Sequence, residues 1–138
     1  MDKVVKFNPT TLAAPPENKH AHVVIAPAGA RTAYIAGQVA LDKDWNVIGA
    51  GDHGAQAEQC LRNIADALSA IGAGPDQIVE MVIIVVDYEE AMMAAINRAG
   101  EVVFGEDWPV TATTLIGAKA LGHAAFLVEI KAIVALYD

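Results

Sequence analysis

Residues Ile78 to Val86 form a nearly continuous apolar run rich in β-branched side chains. Its densest part, Met81 to Val86, is far shorter than the ~20 residues a membrane-spanning helix needs. Such a run predicts a strand covered on both faces, at the centre of a sheet. The hydrophobic period changes on either side of it. Ala57, Cys60, Leu61, Ile64, Leu68 and Ile71 recur at three- and four-residue steps and put one apolar stripe on a helix. Asp52 is the expected N-cap of that helix, and Gly72, Gly74 and Pro75 its stop. Tyr88 to about Val103 reads as a second helix, with Met92, Ala95, Ile96 and Val103 toward the core.

The remaining segments read as strands. Lys3 to Phe7 is a short edge strand, followed by an irregular connector over residues 8–20 with Pro9, Pro15 and Pro16. His22–Ala26 and Thr32–Ala36 flank the turn Pro27–Ala30 and read as a hairpin. Trp45–Ile48 is a small additional strand, Val110–Ala118 a further one, and Ala125–Leu136 a long closing strand. The order predicts an α+β fold, a mixed sheet with two helices on one face, in a single domain over residues 1–138. With 54% hydrophobic and 19% charged residues, intrinsic disorder is excluded. That apolar content exceeds what a lone small domain readily hides, so an oligomer is expected.

The formal net charge of −8 disfavours a phosphate backbone as partner. Cys60 is the only cysteine, which excludes an internal disulfide and any multi-cysteine metal site within one chain. No apolar stretch near the N-terminus reads as a secretory signal, and none is long enough to span a membrane. The expectation is a cytoplasmic protein with no membrane association.

Several groups bear on chemistry. Gly49-Ala50-Gly51-Asp52-His53-Gly54 is a literal G-x-G-x-x-G opening a helix. The strand before it is minimal, and Asp52 places negative charge where a pyrophosphate would sit. It reads as a glycine-rich loop leading into the helix, not a dinucleotide site. His20, His22, His53 and His123 have no metal-ligand spacing, so no metal is expected. Cys60 falls on the inner stripe of the first helix, as inert packing. In the closing strand Phe126, Val128, Ile130, Ala132 and Val134 share one face, and Leu127, Glu129, Lys131, Ile133 and Ala135 the other. Glu129 is therefore either in a half-exposed ion pair with Lys131 that contributes little or a desolvated carboxylate poised to orient or deprotonate a water. Thr111, Thr113 and Thr114 offer hydroxyls near a strand start, although β-branched residues favour strands without any such role.

Three stretches, in order, resemble one known family. Tyr34-Ile35-Ala36-Gly37-Gln38-Val39 is similar to the "(I/V)(S/A)GQ" strand of the Rid family (RidA/YjgF/L-PSP). Gln56-Ala57-Glu58-Gln59-Cys60-Leu61-Arg62-Asn63-Ile64 resembles its first helix, and Leu127-Val128-Glu129-Ile130-Lys131-Ala132-Ile133 its closing strand. The resemblance covers roughly residues 20–136. It implies a chorismate-mutase-like fold, a homotrimer whose sheets form a central β-barrel, and small-molecule clefts between subunits. Active members hydrolyse imines and enamines of amino acids to ketoacids and ammonia without a cofactor. An arginine holds the substrate carboxylate by a bidentate pair, and a glutamate with backbone groups positions the attacking water.

Carried over residue by residue, the resemblance gives Glu129 the water-positioning role and Gly37 the place of the cleft glycine. Asn97 matches a second-helix asparagine that shapes the cleft. Ala36 stands where active members usually have serine, and His22 where many have a pocket tyrosine. Lys131 replaces a second glutamate. The arginine is missing. Its position falls on Thr113, or on Ala112 with a shifted gap, beside Thr114. Arg31, Arg62 and Arg98 lie elsewhere in the sequence. The expected function is a hydrolase or deaminase acting on a small imine, enamine or related C–N substrate, with specificity unlike that of arginine-bearing members. The alternative is a non-catalytic small-molecule-binding trimer. RNA cleavage, also attached to the family, is disfavoured by the charge and by the lack of a basic run.

Overall fold

The computed structural model describes residues 2–138. Eight elements organise the chain: strands β1 (Val5–Phe7), β2 (Val23–Ile25) and β3 (Arg31–Val39), helix α1 (His53–Ala70), strand β4 (Ile78–Val86), helix α2 (Met92–Phe104), and strands β5 (Ala112–Ala118) and β6 (Val128–Leu136). The main sheet has the order β3-β6-β4-β5. β6 runs antiparallel to both β3 and β4, while β4 and β5 are parallel, so the sheet is mixed. α1 packs on β3 and β6 and lies beside α2. The core between this layer and the sheet contains Ala57, Cys60, Ile64, Leu68, Ile78, Met81, Val85, Val128, Ile130 and Val134.

α1 follows its sequence signals closely. The Asp52 carboxylate accepts from the Ala55 N–H at 3.0 Å, and Gly49 and Gly51 both take positive φ in the loop before it. The glycine-rich segment thus shapes the start of a helix. Ile71 is the exception on the apolar stripe: it is the C-cap and stays exposed, just before Gly72 at φ 70°. α2 begins at Met92, later than the apolar spacing suggests, because Asp87 at φ 50° and the turn through residues 88–91 intervene. Ile96 and Ala99 are buried, whereas Ala95 faces outward.

The expected hairpin between His22–Ala26 and Thr32–Ala36 does not form. β2 pairs with β1 in a separate two-stranded sheet, and β3 pairs with β6. A nine-residue strand finds more ladder partners in a second nine-residue strand than in a three-residue one. Trp45–Ile48 is not a strand either; a single bridge, Leu41 to Val47, marks that place.

β4 is interior in the sheet, but along most of its length only the helix side is covered; on the other side Val86 alone, at the strand end, is buried. Ile78, Met81 and Val85 are buried on the helix side, while Val82 and Ile84 are half-buried on the other. β6 starts at Val128, not at Ala125, and the cause is one side chain. Gln56 on α1 is fully buried. Its Nε2 donates to the Ala125 carbonyl at 2.9 Å and its Oε1 accepts from the Leu127 N–H at 2.8 Å. The Ala125 carbonyl and the Leu127 N–H are thereby fixed to the helix, while the Leu127 carbonyl still accepts from the Val86 N–H of β4 at 2.8 Å. Replacing this carboxamide by an apolar side chain strands two backbone groups. Gln56→Leu is expected to lower unfolding free energy by roughly 1–3 kcal/mol for each group left unsatisfied, read as a lower urea midpoint.

Candidate functional site

β6 decides where Glu129 points. Its neighbours Val128 and Ile130 are fully buried against the helices, so the alternation of a strand sends Glu129 to the opposite face. There it lies opposite Val39 of β3 and Ile84 of β4, half-buried. β3 is irregular between Ile35 and Gln38, which leaves Ala36 and Gly37 outside the regular pairing. The Gly37 backbone runs directly beneath the Glu129 side chain. A Cβ at Gly37 would lie 2.8 Å from the Glu129 carboxyl carbon. A glycine here leaves the carboxylate its place. Among the described residues the ion pairs are Lys19–Glu101 and Glu58–Arg62. Glu129 therefore does not form the ion pair with Lys131 that the spacing allowed.

Asn97 and Thr113 meet elsewhere. Thr113 is in register with Met81, and Met81 with Ala132, which puts all three on the helix side of the sheet. There Thr113 and Asn97 line a cavity of about 500 Å³ between α2, β4, β5 and the connector before β2. The Thr113 hydroxyl donates to the Thr111 carbonyl at 3.2 Å. Thr114 is in register with Val82, and Val82 with Lys131, so it sits on the Glu129 side and is exposed. Thr111 is wholly buried, its hydroxyl donating to the Ile78 carbonyl at 2.9 Å. That role is structural.

Within one copy the predicted residues thus fall into two groups on opposite faces of the sheet. Glu129, Gly37 and Ala36 form one; Asn97 and Thr113 form the other. His22 joins neither. Its ring Nε2 donates to the Ala13 carbonyl at 2.6 Å, and its N–H to the Asn8 side chain at 2.8 Å, which ties β2 to the connector. His20 lines the cavity in its stead.

The sequence reading missed the cavity wall. Trp108 lies flat on α2 at Gly100, where a Cβ would come within 2.7 Å of the indole. Its Nε1 donates to the Lys19 carbonyl at 2.8 Å. Lys19 returns over the ring, its Nζ 4.2 Å from the centroid and 3.1 Å from Glu101. Met93, Ile96, Asn97, Gly100 and Phe104 share a helical face of α2. Their three- and four-residue spacing was the available signal.

Comparison with known proteins places these features. The Endoribonuclease L-PSP family model matches residues 11–136. The chain belongs to the Rid/YjgF/L-PSP family. RutC family protein UK114 of Drosophila melanogaster is 30% identical over 106 residues, covering 77% of this chain and 73% of that protein. The crystal structure of YyfB from Yersinia pestis, described as a Rid-family protein of unknown function, superposes with a TM-score of 0.89. It is 34% identical, over 99% of this chain and all of that one. The YjgF gene product of Escherichia coli matches at 25% identity and a TM-score of 0.64, over 80% of this chain and 84% of that one. The α+β architecture is accordingly the chorismate-mutase-like fold of the Rid proteins.

Cys60 is close enough to this Rid scaffold's glutamate to feel it. Its Sγ–H donates to the Val128 carbonyl at 3.4 Å, and the side chain is fully buried. Burial pushes the thiol up to about 12, and the Glu129 charge adds to the effect. A thiol stays protonated at neutral pH under these conditions and is a poor nucleophile. The native protein should resist alkylation by iodoacetamide at pH 8 and react only once unfolded, followed by mass spectrometry. Because the folded value exceeds the unfolded one, this contribution to stability is complete below pH ~8.5. It is lost as pH rises through about 12.

Gly37 yields a second test. The nearest atoms to an added Cβ are the far end of a flexible side chain, so Gly37→Ala should fold with little loss in melting temperature. It displaces the Glu129 carboxylate, and ligand affinity or turnover should fall while the fold is retained.

Proposed function

We propose that this Rid-family chain is a hydrolase of small imines, enamines or related C–N compounds, working in a cleft between copies of itself in a homotrimer. One observation carries the reading. The Glu129 carboxylate, free of any partner cation among the described residues, rests over the Gly37 backbone on the sheet face that no helix covers.

The chemistry follows from that placement. A carboxylate accepts a hydrogen bond from a water and takes its proton as the oxygen attacks an imine carbon. The C–O bond forms while the C=N π pair moves to nitrogen. The nitrogen takes that proton back from the carboxyl to give the carbinolamine; the carboxylate then moves the hydroxyl proton to nitrogen, the C–N bond breaks, and a carbonyl compound and ammonia leave. Water and imine are the only reactants, and no redox partner or cofactor is needed.

The case for a second copy is geometric. Glu129 and Gly37 are separated by the sheet from Asn97 and Thr113, so the two groups can face one ligand only if different copies supply them. The uncovered face favours such an assembly. Tyr34 is 77% exposed, Ile116 is 45% exposed, and Val82, Ile84 and Ile133 are half-buried. An apolar β-branched face of this kind is what an obligate oligomer hides. The protein is expected to elute as a trimer in size-exclusion chromatography with light scattering. A stable monomer would remove the cleft.

Thr113 in the arginine's position limits the substrate. A hydroxyl gives no bidentate, charge-assisted contact to a carboxylate. An amino-acid oxidase generating 2-aminoacrylate-type imines in the assay should reveal slow ketoacid release by the wild type. Thr113→Arg should raise it about 10- to 150-fold, the equivalent of one hydrogen bond to a charged group. On any imine the wild type does hydrolyse, Glu129→Gln should cost ~10²–10⁴-fold in rate. The second reading, a binding trimer without turnover, is favoured by the loss of a polar group at Ala36 and of a charged one at Thr113. It is the outcome if ligands bind and none is converted.

A further inference from the structure

The cavity behind Thr113 has a character of its own. Its volume of about 500 Å³ lies within the ~300–1,000 Å³ of small-molecule sites. Leu61, Met81, Ile83, Phe104, Trp108 and Leu115 make most of its wall. Ile83 of β4 is only half-buried although it points to the helix side, because this space lies in front of it. The polar groups that reach it are few: the Asn97 carboxamide, the Thr113 hydroxyl, and Glu17, Lys19 and His20 at one side.

Lys19 is the cavity's one lysine or arginine, and it is already engaged. It is paired to Glu101 at 3.1 Å and stacked on Trp108, with its side chain only 25% exposed. Glu17 adds a negative charge beside it. A carboxylate entering this space would shed its hydration against apolar walls and find no unpaired lysine or arginine, a costly transfer. A neutral aryl or branched alkyl group would lose only unfavourable contact with water. A neutral amide or imine at its end would find a donor and an acceptor in Asn97 and an acceptor in Thr113.

We infer that this cavity is a binding site for an uncharged ligand with an aromatic or branched aliphatic body and one neutral polar end. The inference rests on the proposed cleft only in treating Asn97 and Thr113 as ligand-facing residues, and it names the class of compound that the cleft takes.

The test uses a matched pair of probes, 3-phenylpropionamide and 3-phenylpropionate. The chain has two tryptophans, and Trp45 is 81% exposed and does not line the cavity. In a Trp45→Phe background the emission therefore reports Trp108. The amide is expected to shift or quench that emission and to bind at least tenfold more tightly than the carboxylate by titration calorimetry. Met93 lies at the cavity but is 37% exposed, so Met93→Phe should fold and fill part of the space. It should weaken the amide at least fivefold with an unchanged circular dichroism spectrum. Absence of amide binding, equal or tighter binding of the carboxylate, or unweakened binding in folded Met93→Phe each overturns the inference. None of these readouts requires turnover. Failure of hydrolysis with the amide preference intact counts against the hydrolase alone, and hydrolysis without that preference counts against this cavity assignment alone.

Discussion

Strand alternation in β6 is the constraint from which the site follows. Val128, Ile130, Ala132 and Val134 are all buried between the sheet and the helices. Their burial fixes the register of the strand, because a slip of one residue would turn every one of them outward. The same register leaves Glu129 no choice of face. A carboxylate that would be costly in the core is sent to the uncovered side, where β3 departs from regular pairing and provides a glycine beneath it. The polar group is held by the packing of its apolar neighbours, and it needs no ion pair to stay there.

Two amides of α1 keep that arrangement in place. Gln56 holds the backbone just before β6, and Asn63, two turns along, donates to the Val39 and Leu41 carbonyls at 3.0 and 3.1 Å. Gln59 in turn donates to the Asn63 side chain at 2.9 Å, which orients it. α1 therefore grips both strands that flank the Glu129–Gly37 contact, one by each end. Gln56 is buried and the other two are half-buried; amides so placed cost stability when unpaired and add rigidity when satisfied. These three belong to the helix stretch that resembles the Rid family, and their hydrogen bonds go to backbone and to each other. Their part is to position the strands that carry the site.

Local signals carried much of the fold. The three- and four-residue apolar steps and the Asp52 cap placed α1 correctly, and the β-branched run placed β4 in the interior of the sheet. The alternation of 126–135 sorted the two faces of β6 without error at Val128, Ile130, Ala132 and Val134. Partner choice was not legible. Nothing in Val23–Ile25 or Arg31–Val39 says that they part company, since ladder length in the distant β6 decides it. The true start of β6 was hidden for the same reason, because Gln56 acts from a helix more than sixty residues away. The Glu129–Gly37 contact was suggested by resemblance, and no local pattern predicts it. The cavity was invisible because its wall joins α2, two parallel strands and the Lys19–Trp108 stack, which share no period.

The cavity and the missing guanidinium are two sides of one physical situation. An arginine in the place of Thr113 would carry a charge into a space walled by Met81, Ile83, Leu115 and Phe104, and would require a permanent anion for compensation. With threonine there, the hydroxyl is satisfied by the Thr111 carbonyl, and no charge is left over. The one cation at the margin is neutralised by Glu101 and held against Trp108. The cavity thus offers no unpaired lysine or arginine, and the opposite face carries Glu129 without an ion-pair partner among the described residues. A ligand that meets both copies' residues would bring an apolar body and a neutral polar end to Asn97 and Thr113, and no anion. An amino-acid-derived imine does not meet that condition, since its carboxylate would have to lie where no unpaired lysine or arginine is found.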